Sequence, residues 1–154
     1  MRLRLLCVGR LSEAWLRDAE REYLKRLGRF CRLEVSEVAD SPERIGIERA
    51  LRMEGERLLA KLAPNERVVA LDPAGQSFDS YGFAAWLEQR LTDYPAGLVL
   101  LIGGSNGFAP ELLARSDERI SLSPLTFPHQ LTRIILLEQL FRAFKISRGE
   151  TYHK

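Results

Sequence analysis

Apolar positions along this chain alternate between short unbroken runs and longer stretches with helical spacing, and that alternation predicts its elements. Arg2 to Gly9 reads as a first strand closed by glycine. Ser12 is placed to cap a helix on which Trp15, Leu16, Ala19, Tyr23, Leu24 and Leu27 recur at helical spacing, ended by Gly28. Leu33 to Val38 predicts a second strand. Asp40-Ser41-Pro42-Glu43 then starts a helix running to about Leu62, with Ile47, Leu51, Leu58 and Leu59 inward and Gly55 as a weak point. Arg67 to Leu71 is a third strand, followed by a turn at Asp72-Pro73-Ala74-Gly75. Another helix runs from about Ser80 through Phe83, Leu87 and Leu91 and stops before Pro95-Ala96-Gly97.

The stretch from Leu98 to Phe127 organises the rest. Leu98-Val99-Leu100-Leu101-Ile102 has the length and branching of a strand covered on both faces. Gly103-Gly104-Ser105-Asn106-Gly107 follows at once, and its glycines allow positive φ and close approach of a ligand to the backbone. Pro110 and Glu111 open a short helix. A strand from Ile120 to Ser123 leads into the irregular Pro124–His129. Two loops leaving neighbouring parallel strands form a ligand crevice at the strands' carboxyl ends. The last helix carries Leu131, Ile134, Ile135, Leu137, Leu140, Phe141 and Phe144, more apolar positions than one stripe needs. It is therefore buried on more than one side, either in the core or in a dimer interface. Strands and helices alternate throughout, which implies an α/β layer fold with a mainly parallel sheet in a single domain spanning residues 1–154.

Composition narrows the function less than the pattern does. At 154 residues, 45% hydrophobic and 29% charged, the chain is long enough to bury its own core. It has no run of about 18 apolar residues, the length a transmembrane helix needs. The start, MRLRLLCVGRLSEAW, lacks a small-residue cleavage site and reads as a strand, so the expected location is cytoplasmic, with no membrane partner. Cys7 and Cys31 lack metal-like spacing and suit buried residues in a reducing compartment. The net charge of +2 announces no nucleic-acid binder. However, residues 127–154 hold five basic side chains (Arg133, Arg142, Lys145, Arg148, Lys154) against two acids (Glu138, Glu150), so the excess lies at the C-terminal end. Arg17, Arg21, Lys25 and Arg29 also form a stripe four residues apart, read either as phosphate contacts or as a solvated face neutralised by Asp18, Glu20 and Glu22.

Several chemistries lack their motifs. GGSNG is neither a dinucleotide fingerprint nor a P-loop, and Ser105 lacks the flanks of a nucleophile elbow. No His/Cys/Asp cluster has metal spacing, so no metal is expected. Asp72 fits a turn cap before proline better than an acid–base residue, and His129 stands alone at a loop end. Spacing alone gives an anion- or nucleotide-sized crevice in an α/β domain.

Three segments carry more: LIGGSNG at Leu101–Gly107, SLSPLTFPHQLTRIILLEQLFRAFKI at Ser121–Ile146, and the ending RGETYHK. Together they resemble the RlmH family of large-subunit ribosomal RNA methyltransferases, in the SPOUT superfamily. RLLCVGRL near the start, EYLKRLG and the length also fit, so the resemblance spans essentially the whole chain; Leu71-Asp72-Pro73 is a looser match. It implies an α/β knot, in which the C-terminal segment makes a deep trefoil. It also implies methyl transfer from S-adenosylmethionine to N3 of a pseudouridine in a stem-loop of 23S (large-subunit) ribosomal RNA, by a homodimer acting on assembled ribosomes and not on DNA. The implied cofactor positions are Leu71, Gly103, Leu122, Ser123, Pro124, Leu125, Thr126 and Phe127. These are ends of three predicted strands, where leucines and Phe127 can pack on adenine and Gly103 leaves bare backbone.

N3 is an imide nitrogen whose proton must leave, so something must take that proton or stabilise charge on the flanking carbonyls. Tail position and basic excess point to Arg142, Tyr152 and His153 for this task, with the tail reaching the partner subunit's cofactor. Arg133, Lys145, Arg148 and Lys154 are candidate phosphate contacts. Two other readings remain open within the superfamily and beside it: methylation of another RNA nucleotide, and a non-enzymatic ribosome-binding or assembly factor. A flavodoxin-like binding module fits the element order alone and has no use for the basic tail.

Overall fold

A computed structural model describes residues 2–153. Its strands β1 (Arg2–Val8), β2 (Arg32–Val38), β3 (Arg67–Ser77), β4 (Leu98–Ile102) and β5 (Glu118–Ser121) form one parallel sheet ordered β2-β1-β4-β3-β5. The helices are α1 (Ala14–Leu27), α2 (Ile47–Leu59), α3 (Ser80–Asp93), α4 (Pro110–Arg115) and α5 (His129–Ser147). β4 lies at the centre, with Leu100 opposite Leu5 of β1 and Val69 of β3, which is why its five residues are an unbroken apolar run. Its side chains alternate between two cores. Leu98, Leu100 and Ile102 join Leu3 and Leu5 beneath α1, α3 and α5, whereas Val99 and Leu101 join Leu6 and Val8 beneath α2 and α4. The connections alternate in direction along the sheet, and α1 and α3 lie on one face with α2 and α4 on the other, as the right-handed rule for parallel crossovers requires.

After β5, at the sheet's edge, the chain turns back and α5 packs against both α1 and α3. Leu136, Leu137 and Leu140 are fully buried, and Phe30 packs on Phe141 and Phe144 at ring distances of 5.8 and 5.5 Å. Burial on two sides explains most of the helix's surplus of apolar positions. Leu131, Ile134 and Ile135 remain half-buried on its outer side. Among the described residues, no helix is long and apolar enough to cross a membrane.

Local differences from the sequence reading have identifiable causes. The helix expected from Asp40 is interrupted: Glu43–Ile45 form a 3₁₀ turn, Gly46 takes φ 96°, and α2 starts only at Ile47. The buried Glu54 carboxylate accepts the Ser41 amide at 2.9 Å and pins the incoming chain, leaving Ile47 exposed rather than inward. Gly55 is no weak point, because a Cβ there would come 3.2 Å from the Ala109 Cβ where α2 meets the start of α4. Ser12 does not cap α1; its amide and hydroxyl both donate to Gln130 Oε1 of α5. β3 runs through the predicted turn to Ser77, with a register shift between Leu71 and Gln76. Both residues pair with Ile120, so the two limbs of this extension bracket β5. β5 itself begins two residues early, where Glu118 is held by Arg67, Arg90 and Trp86.

Candidate functional site

The carboxyl ends of β3, β4 and β5 open on one cleft. The predicted pair of neighbouring strands is corrected here: β3 lies between β4 and β5, so three strand ends contribute. At the end of β4, the glycine loop folds on itself. A Cβ on Gly103 would stand 2.8 Å from the Gly107 carbonyl oxygen, and Gly107 alone in the loop takes positive φ, 79°. Gly103 is thus required by the loop's own backbone, a different reason from the ligand clearance expected. Two side chains hold the loop from outside: Asn106 Nδ2 donates to Glu43 Oε1 at 3.0 Å, and Ser105 Oγ lies 3.5 Å from His129 Nδ1. Glu54 lies beneath it, 3.6 Å from where a Gly104 Cβ would be.

The other walls are equally local in origin. Asp72 Oδ1 accepts the Ala74 amide at 3.0 Å, and its carboxylate lies 3.7 Å from Arg119. After β5, Ser121 Oγ donates to the Ser123 carbonyl, and Ser123 Oγ accepts the Leu125 amide at 3.0 Å. These short-range bonds shape the loop before Pro128 leads into α5. Leu71, Gly103, Leu122, Ser123, Leu125, Thr126 and Phe127 all line the cleft; Pro124, in the same loop, is exposed and not part of its wall. Leu71, Leu122 and Phe127 give apolar surface, Ser123 and Thr126 hydroxyls, and Asp72 the one carboxylate. Apolar walls with backbone groups and few polar side chains suit a nucleoside-sized ligand.

A second cluster forms at the far end of α5. Arg142 Nη2 donates to Glu138 Oε1 at 2.5 Å, and the Tyr152 hydroxyl donates to the same oxygen at 3.1 Å. Arg142 Nη1 is 3.0 Å from His153 Nδ1, and its guanidinium stands 4.9 Å over the Tyr152 ring. Arg142 on α5 and the tail residues Tyr152 and His153, all singled out from the sequence, are therefore adjacent. Burial, and then the charge of Glu138, push the Tyr152 phenol above its usual range, so it stays protonated. The Glu138 hydrogen bond raises Arg142 further still. Sequence reasoning missed Glu138, which entered only as a charge; its spacing of four from Arg142 on one helix was the available signal.

The other basic candidates separate. Arg133 is buried and bound to Glu20 and Glu37 through Nε (2.5 Å), Nη1 (2.6 Å) and Nη2 (3.1 Å). That leaves no face for a phosphate; the residue instead ties α5 to α1 and β2. Lys145 bonds Glu150 at 2.6 Å, and Arg148 is exposed, 4.6 Å over the Phe30 ring. Lys154 lies outside the described residues. The α1 stripe is exposed along its length: Arg21 pairs with Asp18, and Arg29 reaches Glu150 at 3.0 Å.

Comparison with known proteins adds two findings. The family described as Predicted SPOUT methyltransferase matches residues 1–153. A solved structure from Porphyromonas gingivalis, ascribed to the TrmH family of RNA methyltransferases, is 14% identical, with a TM-score of 0.46. The match covers 90% of this chain and 58% of that one, so the chain spans less than two thirds of that protein's length.

Proposed function

The chain belongs to the SPOUT methyltransferase family, and from that premise we propose that it methylates N3 of a pseudouridine in a 23S ribosomal RNA stem-loop, on assembled ribosomes, as a homodimer. S-adenosylmethionine supplies the methyl group by in-line displacement at its sulfonium carbon. In this reading Leu71, Leu122, Leu125 and Phe127 sandwich the adenine, and the loop backbone at Gly103 and between residues 122 and 127 reads its edge. Asp72 accepts from the ribose hydroxyls. Pro124 shapes the loop between Ser123 and Leu125, which do line the cleft.

The observation that carries the dimeric part is the distance between the two clusters. Thr132, on the cleft wall, and Arg142 are ten residues apart on one helix, about 15 Å along its axis at 1.5 Å per residue. The tail therefore does not serve the cleft of its own protomer; in a dimer it serves the partner's. Apolar surface able to meet a second copy runs from one cluster to the other: half-buried Leu131, Ile134 and Ile135 on α5, with exposed Leu125 at the cleft and exposed Tyr81 at the tail cluster. The deep trefoil belongs to this reading as well: β3's extension brackets β5, and the chain beyond returns to the middle of the sheet. Arg148, Lys145 and Lys154 then meet the RNA backbone.

The test is transfer of labelled methyl from S-adenosylmethionine to ribosomes lacking this modification, with free large subunits in parallel and mass mapping of the product. Label on N3 of one stem-loop pseudouridine in intact ribosomes is the expected result. Donor binding without that label means another RNA nucleotide; neither binding nor label means a non-enzymatic ribosome-associated protein.

A further inference from the structure

We propose that Glu138 is a positioning residue that, with the Tyr152 hydroxyl bonded to it, fixes Arg142 and His153 as a pair of hydrogen-bond donors, which hold negative charge on a carbonyl flanking the reacting nitrogen and do not take its proton. This rests on the proposed reaction and assigns the role which the residue types alone leave open.

Hydrogen-bond capacity decides the matter. The two oxygens of Glu138 are engaged, Oε1 by Arg142 and Tyr152 and Oε2 by Gln139 Nε2 at 2.6 Å, so the carboxylate orients its neighbours and is not offered as a base. A guanidinium has donors only. At 3.0 Å from Arg142 Nη1, His153 Nδ1 must therefore present its lone pair, and the neutral ring carries its proton on Nε2. Placing a proton on Nδ1 would turn it towards a fixed cation. Tyr81 of α3 packs edge-on against the imidazole at 5.0 Å and 89°, which holds the ring plane. Among the described residues, the charged and titratable groups around this cluster are Arg142 and Glu138 on α5, Tyr152 in the tail, Tyr81 on α3, and Tyr23 and Arg26 on α1. Tyr152 stays protonated for the reason given above and spends its one O–H on Glu138, buttressing the carboxylate. What the cluster turns outward is thus Nε2–H beside a permanent cation, the arrangement that stabilises an imidate oxygen. The bonds balance as follows: the N3–H bond breaks and its proton goes to water, the N3–carbon bond forms, and the carbon–sulfur bond breaks with its electron pair remaining on sulfur.

Two measurements test this. The first needs no substrate: imidazole ¹⁵N shifts of the full-length protein at neutral pH. The chain has only two histidines, so a His129→Asn variant assigns the spectrum. A neutral His153 protonated on Nε2 is expected, with loss of that single tautomer in Glu138→Gln. A ring protonated on Nδ1, or an imidazolium, overturns the proposal even if the methylation reading is correct. The second is turnover on whichever RNA the mapping experiment labels. His153→Gln keeps an N–H donor in place of Nε2 and should retain at least a tenth of kcat, whereas His153→Ala should lose about a hundredfold. Equal loss in both variants means that His153 is the base and the proposal is wrong. Glu138→Gln should lower kcat about tenfold or more with donor affinity and RNA KM unchanged, and Tyr152→Phe, which removes only one bond to Glu138, should show a smaller drop of the same kind. Wild-type kcat in Glu138→Gln refutes the positioning role. Absence of methylation at pseudouridine, with the expected tautomer, instead sinks the substrate reading alone.

Discussion

Gly75→Ala probes the place where β3's extension crosses β5. An added Cβ would stand 2.6 Å from both the Arg119 carbonyl carbon and the Ile120 nitrogen, and 2.8 Å from the Arg119 oxygen. Ordinary contact begins at 3.4 Å, so the loop must retreat by roughly 0.8 Å, the difference between those distances. No rotamer can yield, because all three neighbours are backbone of a strand paired on both Leu71 and Gln76. Overpacking of this kind costs about 1–3 kcal/mol. Losing pairing at Gln76 or Ser77 adds about 1 kcal/mol. A total near ~3 kcal/mol corresponds to a fall in Tm of about 6–12 °C for a chain of this size, read by calorimetry. Because Leu71 and Asp72 line the cleft just before this loop, affinity for S-adenosylmethionine should fall with it. Gly107→Ala is the control: φ is 79° and nothing lies within 4 Å of the new Cβ, so only backbone strain of about 1–2 kcal/mol applies. If Gly75→Ala melts within about 2 °C of the parent and binds the donor equally well, the extension is not clamped against β5 and this account of the cleft is wrong.

Arg133→Ala should cost about 3–4 kcal/mol in denaturant unfolding, because it strands Glu20 and Glu37, and Arg133→Met should cost less by refilling the space; any change in the salt dependence of RNA binding by the folded variant would restore it as a phosphate contact. Glu118 has its pKa held below the ordinary 4.5: burial opposes the charge, but the hydrogen bonds from Arg90, Trp86 and Arg67 outweigh it. Its contribution is therefore fully present above the unfolded value and is lost as pH falls through the folded one, so Glu118→Gln should flatten the acid limb of a stability–pH curve below about 4.5 and leave its shape at neutral pH unaltered. Burial pushes the Cys7 thiol up to about 12 and the Cys31 thiol up to about 11. Neither should react with iodoacetamide at pH 8 in the folded protein, and both should react in denaturant; mass spectrometry of native protein carrying a label on either would contradict the packing described.

The parts of the fold that could be read from sequence are those fixed by one segment's own pattern. β4 is apolar at five consecutive positions because both faces are covered, and its limits, Leu98 and Ile102, follow directly. Pattern fails where a distant atom decides the outcome. α2 starts late because a carboxylate thirteen residues on holds the Ser41 amide, and Gly46 then breaks the run. Strand order is likewise silent in sequence, so the intervention of β3 between β4 and β5 could not be seen, although the residues of all three strand ends could.

The charged residues show the same limit most sharply. Arg133 and Arg142 lie on one helix, nine residues apart, in a sequence that distinguishes them poorly. Arg133 meets carboxylates 113 and 96 residues away and is spent inside the protein. Arg142 meets one four residues away and stays partly exposed beside the tail. A basic residue's availability to a ligand is thus set by the range of its acidic partner as much as by its own position. Local pairs such as Glu138–Arg142 can orient a guanidinium and leave its outer face free, whereas partners drawn from two other elements surround it. On that ground the residues worth testing first for chemistry are those whose carboxylate is near in sequence. Lys145, five residues before Glu150, meets the same condition as Arg142. Arg133 does not.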